Sequence, residues 1–364
     1  MWWRPVALLT ALMAFPAAAV ETLRIAMGPA RESVEVTAEL LSMGPDREDV
    51  PFRPLGLSRA VIRRERGQLE LNGAPVQGLA VRLRAGAAAG GPGQATLKAN
   101  GLEVRGDVVV RLRPDGQLEL INVLPLEDYL AAVLGSEMPF RFPMEALKAQ
   151  AVAARTYALH KKLGALDQPY HLGSSVLHQV YGGANREDVR TRMAVEATRG
   201  EVLTYGLAPI EAYFHASCGG RTESGSAALN RDLPYLQPVE CPCGDSAASH
   251  WTLSVPKSEL ESVFHDSRSF SVAARSSTGR ARKVQVGERS VDAVQFRQRL
   301  GYDRVKSLAF DIEAVGNAWI LTGHGYGHGA GLCQWGAKAY ADQGWDYLKI
   351  LEHYYPRTEL QRLY

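Results

Sequence analysis

Glu137 stands in Gly135-Ser136-Glu137-Met138-Pro139, where Pro139 stops a helix at about Met138, since proline disfavours the α region at the residue before it. A carboxyl at a helix C-terminus meets the unpaired carbonyls of the last turn. Their partial negative charge raises its pKa. A carboxyl that stays protonated near neutrality can act as a general acid. The other reading is an exposed glutamate without a task, and local sequence does not separate the two.

The helix expected after it, over 143–162, has an apolar stripe of Met144, Leu147, Ala151, Ala154 and Ala158. On a 100° wheel Lys148 and Arg155 fall on one flank of that stripe, and Gln150 and Tyr157 on the other. Ala149 and Thr156, both small, face the opposite way. Two readings stay open: a core helix whose Lys and Arg snorkel to solvent, or a buried helix walled by functional groups.

Glycine fills every second position from 323 to 331 in GHGYGHGAGLCQWGA. Such a run does not hold a helix. His324 and His328 are therefore not the paired ligands of a helical H-E-x-x-H metalloprotease, whose glutamate is also missing. No Gly-Lys-Ser/Thr follows, which excludes a phosphate loop. The glycines let backbone approach a ligand or another segment closely.

Cys218, Cys241, Cys243 and Cys333 are an even set. Cys241-Pro242-Cys243 is awkward to bridge directly, so full disulfide pairing sends each of its sulfurs to Cys218 or Cys333. A C-x-C unit with two further ligands also fits a closed structural zinc site, with the fourth ligand among Cys333, His215 and His250. Free buried thiols are the third possibility. In each case Cys218, Cys241 and Cys243 are expected to cluster.

The elements that position these groups follow from texture. Residues 21–119 alternate apolar and polar in short runs (23–27, 34–40, 102–104, 108–112, 118–123) punctuated by Gly44-Pro45-Asp46, Asn72-Gly73 and Pro114-Asp115-Gly116. That pattern predicts antiparallel strands. The stretch 85–94 is expected to be a loop. A helix starts near Pro125, with Glu127 and Asp128 in its first turn. A β-rich insertion is expected over about 252–310, with one helix near 292–300. The fold class predicted is α+β: mostly antiparallel β with a few packed helices.

Composition bounds the function. The chain has 364 residues, 46% hydrophobic, with 41 basic and 39 acidic side chains. An apolar share of that size supplies a core, and the near-neutral balance argues against a nucleic-acid binder. Arg4, an apolar run over 5–15 and Ala17-Ala18-Ala19 have the layout of a cleaved secretory signal over 1–19. The run is too short to span a bilayer. An exported protein, periplasmic or at the cell surface and without a membrane span, is expected.

Residues 127–159 (EDYLAAVLGSEMPFRFPMEALKAQAVAARTYAL), 215–223 (HASCGGRTE) and 323–360 (GHGYGHGAGLCQWGAKAYADQGWDYLKILEHYYPRTEL) together resemble the stage II sporulation protein D family, the SpoIID/LytB or amidase-enhancer type of domain. The resemblance covers roughly 100–360. It implies a catalytic domain over 120–364 behind a β-rich segment at 20–119. It also implies a lytic transglycosylase acting on peptidoglycan glycan strands stripped of peptide. The catalytic acid then falls on Glu137, and substrate contacts fall on Lys148, Gln150 and Arg155. Tyr326, His328 and Gln334 are placed near the glycan groove. No cofactor is required for the chemistry, and some relatives are thought to hold zinc near the cysteines. The amidase-enhancer label implies another reading: a non-catalytic wall-binding module that stimulates a partner amidase. A sporulation role is not implied.

Overall fold

The computed structural model describes residues 21–47, 50–86, 95–174, 179–244, 249–266 and 268–364. The expected signal segment over 1–19 lies outside the described residues, as does most of the expected loop at 85–94.

Alternation builds the first part of the chain. In Ser33–Thr37 the side chains of Val34 and Val36 are buried while Ser33 and Glu35 are exposed, the period of a strand with one face on a core. A seven-stranded sheet runs in the order 172–173, 22–26, 118–125, 107–112, 80–85, 41–44, 53–54. Only its short strand Leu172–Gly173 is parallel to its neighbour. A six-stranded sheet runs in the order 102–105, 96–99, 33–37, 59–65, 68–71, 74–75. One hydrophobic cluster joins both sheets to the helices that follow. The fold is α+β with mostly antiparallel strands, as the sequence predicts.

The boundary expected at 119 falls inside a strand. Leu118–Pro125 pairs along its length with Thr22–Ala26 and runs directly into the first helix. The β-rich lead-in is thus woven into the helical body.

The described residues hold eight helices: α1 (Leu126–Glu137), α2 (Met144–Leu163), α3 (Val189–Ala197), α4 (Gly225–Leu229), α5 (Lys257–Phe264), α6 (Ala293–Leu300), α7 (Gln334–Asp342) and α8 (Tyr347–Tyr354). Helix α2 is central. Of its 20 residues 13 are buried, and it packs against α1, α3, α7 and α8. Its alanines remove side-chain bulk on every face, so neighbours crowd it on all sides.

The insertion has a core of its own, built on Trp251, Phe264, Phe270, Phe296 and Phe310. Its strands form two three-stranded sheets, 250–256, 318–324, 310–315 and 270–275, 281–286, 289–292. The helix expected near 292–300 is α6, capped by the Asp292 carboxylate. Helix α5 was not anticipated. Its only signals are Pro256 at the N-cap and the buried pair Leu260 and Phe264 one turn apart.

Candidate functional site

Glu137 is the last residue of α1, and its Oε1 accepts the Val180 N–H at 2.7 Å. Its pKa is raised above 4.5. Burial is the main cause and outweighs the Val180 N–H and the Gln334 side chain, which both favour the charged form. The direction matches the expectation from the helix end, but the cause is desolvation.

The donor is held by a buried strap. Tyr129 Oη donates to Gln179 Oε1 at 2.8 Å, and Gln179 Nε2 donates to Ala154 O at 3.1 Å. On the other side Tyr181 Oη donates to Asn122 Oδ1 at 2.7 Å. Asn122 in turn bonds the carbonyls of Arg105 and Asp107. Val180 between these anchors has its N–H fixed on the carboxyl.

Two more segments shape the site. Arg190 of α3 donates to Phe140 O at 2.9 Å and Phe142 O at 3.0 Å, which fixes the turn after Glu137. Trp335 packs edge-on against Phe142, ring centroids 5.0 Å apart, and stays partly exposed. Beside it Gln334 is 4% exposed, and its Nε2 completes no hydrogen bond among the described residues. Gly135 admits a third segment: a Cβ there would lie 1.8 Å from Arg186 O. Arg186 itself is exposed on that turn.

The α2 residues divide. Lys148 is half-buried, paired with Glu145 at 2.7 Å, with its ammonium 5.5 Å from the Tyr347 ring centroid. Gln150 is fully buried, and neither amide atom has a partner among the described residues. Arg155 corrects the expectation of a substrate contact. It is 0% exposed and clamps Glu127 at 2.9 and 2.7 Å, with further bonds to Val195 O and Glu201 O. A guanidinium so enclosed ties α1 to α3 and to strand Glu201–Tyr205; it does not reach a ligand. The wheel placed Lys148 and Arg155 on one flank, but burial separates them.

The glycine run crosses from the insertion back to the body, with φ between +71° and +118° at Gly325, Gly327, Gly329 and Gly331. Every second residue is thus in a conformation that side chains disfavour. His328 is also corrected. Its Nε2 donates to Phe214 O at 2.9 Å while its Nδ1 accepts from Ala330 N at 3.1 Å. Burial lowers its pKa to about 4, so it is a neutral, structural imidazole. The Tyr326 backbone pairs with Ser217, and its side chain makes contacts with Asp303 and Lys306 on the insertion side. Of the three residues expected near the groove, Gln334 alone is seen beside Glu137.

The cysteines meet. The sulfurs of Cys218, Cys241, Cys243 and Cys333 all lie within 4.8 Å of one another, and all four residues are buried and unbridged. Backbone N–H groups of Cys218 and Gly336 point at Cys333 Sγ, and that of Gly220 at Cys243 Sγ, each at 3.3 Å. The fourth sulfur of the cluster is that of Cys333. His215 directs Nδ1 to Ala330 O, and His250 is exposed in the pairing with His324. Cys333 is also the N-cap of α7 and precedes Gln334, so the cluster anchors the wall beside Glu137.

Sequence reading missed the strap at 179–181, Trp335 and Arg190. The strap has no periodicity, and its partners lie tens of residues away. The one available signal for Trp335 was its place next to Gln334 in the glycine-rich motif.

The family model described as stage II sporulation protein matches residues 114–205, which include Glu137, α2 and the strap. An uncharacterized protein of Brachyspira hyodysenteriae is 36% identical over 269 residues, covering 72% of this chain and 73% of its own. Stage II sporulation protein D of Bacillus amyloliquefaciens is 31% identical over 66% of this chain and 75% of its own. The amidase enhancer of Bacillus subtilis is 30% identical over 64% of this chain, which spans 40% of that longer protein.

Proposed function

The chain belongs to the stage II sporulation protein D family, and from that membership we propose that it is an exported peptidoglycan lytic transglycosylase cutting MurNAc–GlcNAc bonds in peptide-stripped strands. A cell-wall role accords with the names of its relatives. The observation that carries the finer reading is a lone carboxyl. Glu127, Asp128, Glu145 and Glu187 are each held in an ion pair, with Arg155, Arg192, Lys148 and Arg105 respectively. Glu137 has none among the described residues.

Hydrolytic glycosidases use two carboxyls, one as acid and one to activate water or attack the sugar. One is enough when the muramic acid supplies its own nucleophile. Glu137 protonates the glycosidic oxygen as the bond to C1 breaks, and GlcNAc leaves with a free 4-hydroxyl. The resulting carboxylate takes the proton of the C6 hydroxyl as that oxygen attacks C1, giving a 1,6-anhydroMurNAc end. The cycle returns Glu137 to its protonated form, the form that its burial favours. With Arg155 enclosed, recognition of the lactyl carboxylate exposed by peptide removal falls to Lys148 and Arg186. Gln150 and Gln334 have amide capacity for substrate or bridging water.

The four sulfurs suit a structural zinc. Zinc–sulfur bonds of about 2.3 Å put tetrahedral sulfurs about 3.8 Å apart, in keeping with a cluster inside 4.8 Å. Zinc there would cross-link the HASCGG turn, the C-P-C loop and α7. With all four positions filled by protein, no place is left for catalytic water.

A non-catalytic enhancer of a partner amidase is the second reading, favoured by the relative of that name. It gives no reason for a half-buried carboxyl whose pKa is raised by desolvation. Among the described residues no helix is long and apolar enough to cross a membrane. Comparing wild type with Glu137→Gln on peptide-free strands separates the readings. Anhydro ends from wild type and intact, still-bound strands from the variant support the enzyme. Intact strands from both support the enhancer.

A further inference from the structure

Among the described residues, the inserted unit donates hydrogen bonds to the backbone of two of the cysteines. At its root Ser249 Oγ donates to Cys243 O at 2.5 Å. At its hairpin tip, between strands Phe270–Arg275 and Ala281–Val286, Arg280 reaches the HASCGG turn. Arg280 Nη2 donates to Cys218 O at 2.7 Å and to Arg221 O at 2.8 Å. Arg280 is 6% exposed, and its Nη1 donates to Thr278 Oγ1 at 3.0 Å. The carboxylate in this network, Glu223, is reached through the hydroxyls of Thr278 and Ser276, which donate to Glu223 Oε2 at 2.6 and 2.5 Å. Gly329 clears the space: a Cβ there would lie 3.0 Å from Arg280 Nε.

A fully enclosed guanidinium set mainly on two carbonyls is an expensive way to join two units. Its geometry has a specific result. The carbonyls of Cys218 and Arg221 lie three residues apart, and one nitrogen, Arg280 Nη2, holding both closes the turn that presents Cys218 Sγ to the other sulfurs. We propose that the insertion is the clamp of the four-sulfur site, with Arg280 the positioning residue that fixes Cys218 as a metal ligand. Metal retention and docking of the insertion are then coupled, each stabilising the other. The inference rests on the proposed zinc site and concerns its residence time, not catalysis.

The test uses the full chain loaded with zinc, with release to a chromogenic chelator as the readout. Groups that orient metal ligands typically alter affinity 10- to 100-fold, so Arg280→Met should release zinc at least about 10 times faster than wild type. Arg280→Lys, which keeps the charge but loses the separate Nη1 bond that anchors the side chain to Thr278, should fall between them. Arg282→Met, at an exposed position two residues on, should match wild type. Cobalt in place of zinc gives a second signal, since Arg280→Met should alter the thiolate-to-cobalt absorption while circular dichroism stays native. Zinc removal from wild type should also speed protease cleavage near 249. Release from Arg280→Met at the wild-type rate, with an unchanged cobalt spectrum, overturns the clamp while leaving the zinc site in place. A wild-type chain that binds neither metal overturns the zinc site, and the clamp with it.

Discussion

Arg155→Met removes a guanidinium from a place where nothing can replace it. The side chain is 0% exposed, and its bonds to Glu127 are 2.9 and 2.7 Å long. Deleting one partner of a buried ion pair costs about 3–5 kcal/mol, mostly because the other charge is left without compensation. Glu127 retains the Tyr364 hydroxyl at 2.7 Å, which favours the lower end, about 3 kcal/mol. At about 2 °C per kcal/mol for a chain of this size, the melting temperature should fall by about 6 °C. Adding Glu127→Gln removes the stranded charge, so the double variant should regain at least half of the loss, as coupled neighbours do. Thermal melts followed by circular dichroism measure both, and a strand-binding assay on folded protein completes the comparison. An Arg155→Met protein that melts within about 1 °C of wild type yet binds strands tenfold more weakly would refute the enclosed role.

The raised pKa of Glu137 makes its charge a burden on the fold. Between the unfolded value and the raised folded one, the native state binds more protons, so stability falls as pH rises through that window. Glu137→Gln should therefore stabilise the protein at about pH 7 and do little at about pH 4, and equal shifts in melts at both would contradict this. Gln334→Met removes a group that lowers the Glu137 pKa, so the alkaline limb of the cleavage profile should move up; a downward move would count against the assignment. Lys148→Met and Arg186→Gln should each raise KM on peptide-free strands about tenfold, roughly the worth of one charge-assisted contact, with little effect on strands whose lactyl carboxylate has been amidated. Equal losses on both substrates would remove these residues from carboxylate recognition.

Local rules made much of the scaffold legible. The period-two run at 34–36 and the apolar run at 108–112 are strands, and Pro139 and Gly164 mark the ends of α1 and α2. The C-P-C unit and the HASCGG turn meet, as the spacing of their cysteines suggested. What stayed hidden depends on distance along the chain. A helical wheel shows which residues share a flank of α2 but not which neighbour covers that flank, so Lys148 at the edge and Arg155 beneath α3 looked alike. The Val180 N–H on Glu137 spans 43 residues and leaves no local pattern. His328 has chemistry-bearing atoms, but both are bound by backbone that only the folded glycine run brings near.

Cleavage of peptide-free glycan strands in ¹⁸O-labelled water, with mass analysis of the new ends, tests the assigned reaction most directly. An internal attack by the C6 hydroxyl gives muramic ends lighter by one water and free of ¹⁸O, and Glu137→Gln should give none. Reducing ends carrying ¹⁸O would mean that water is the nucleophile, and anhydro ends formed equally well by Glu137→Gln would take the proton transfer away from Glu137.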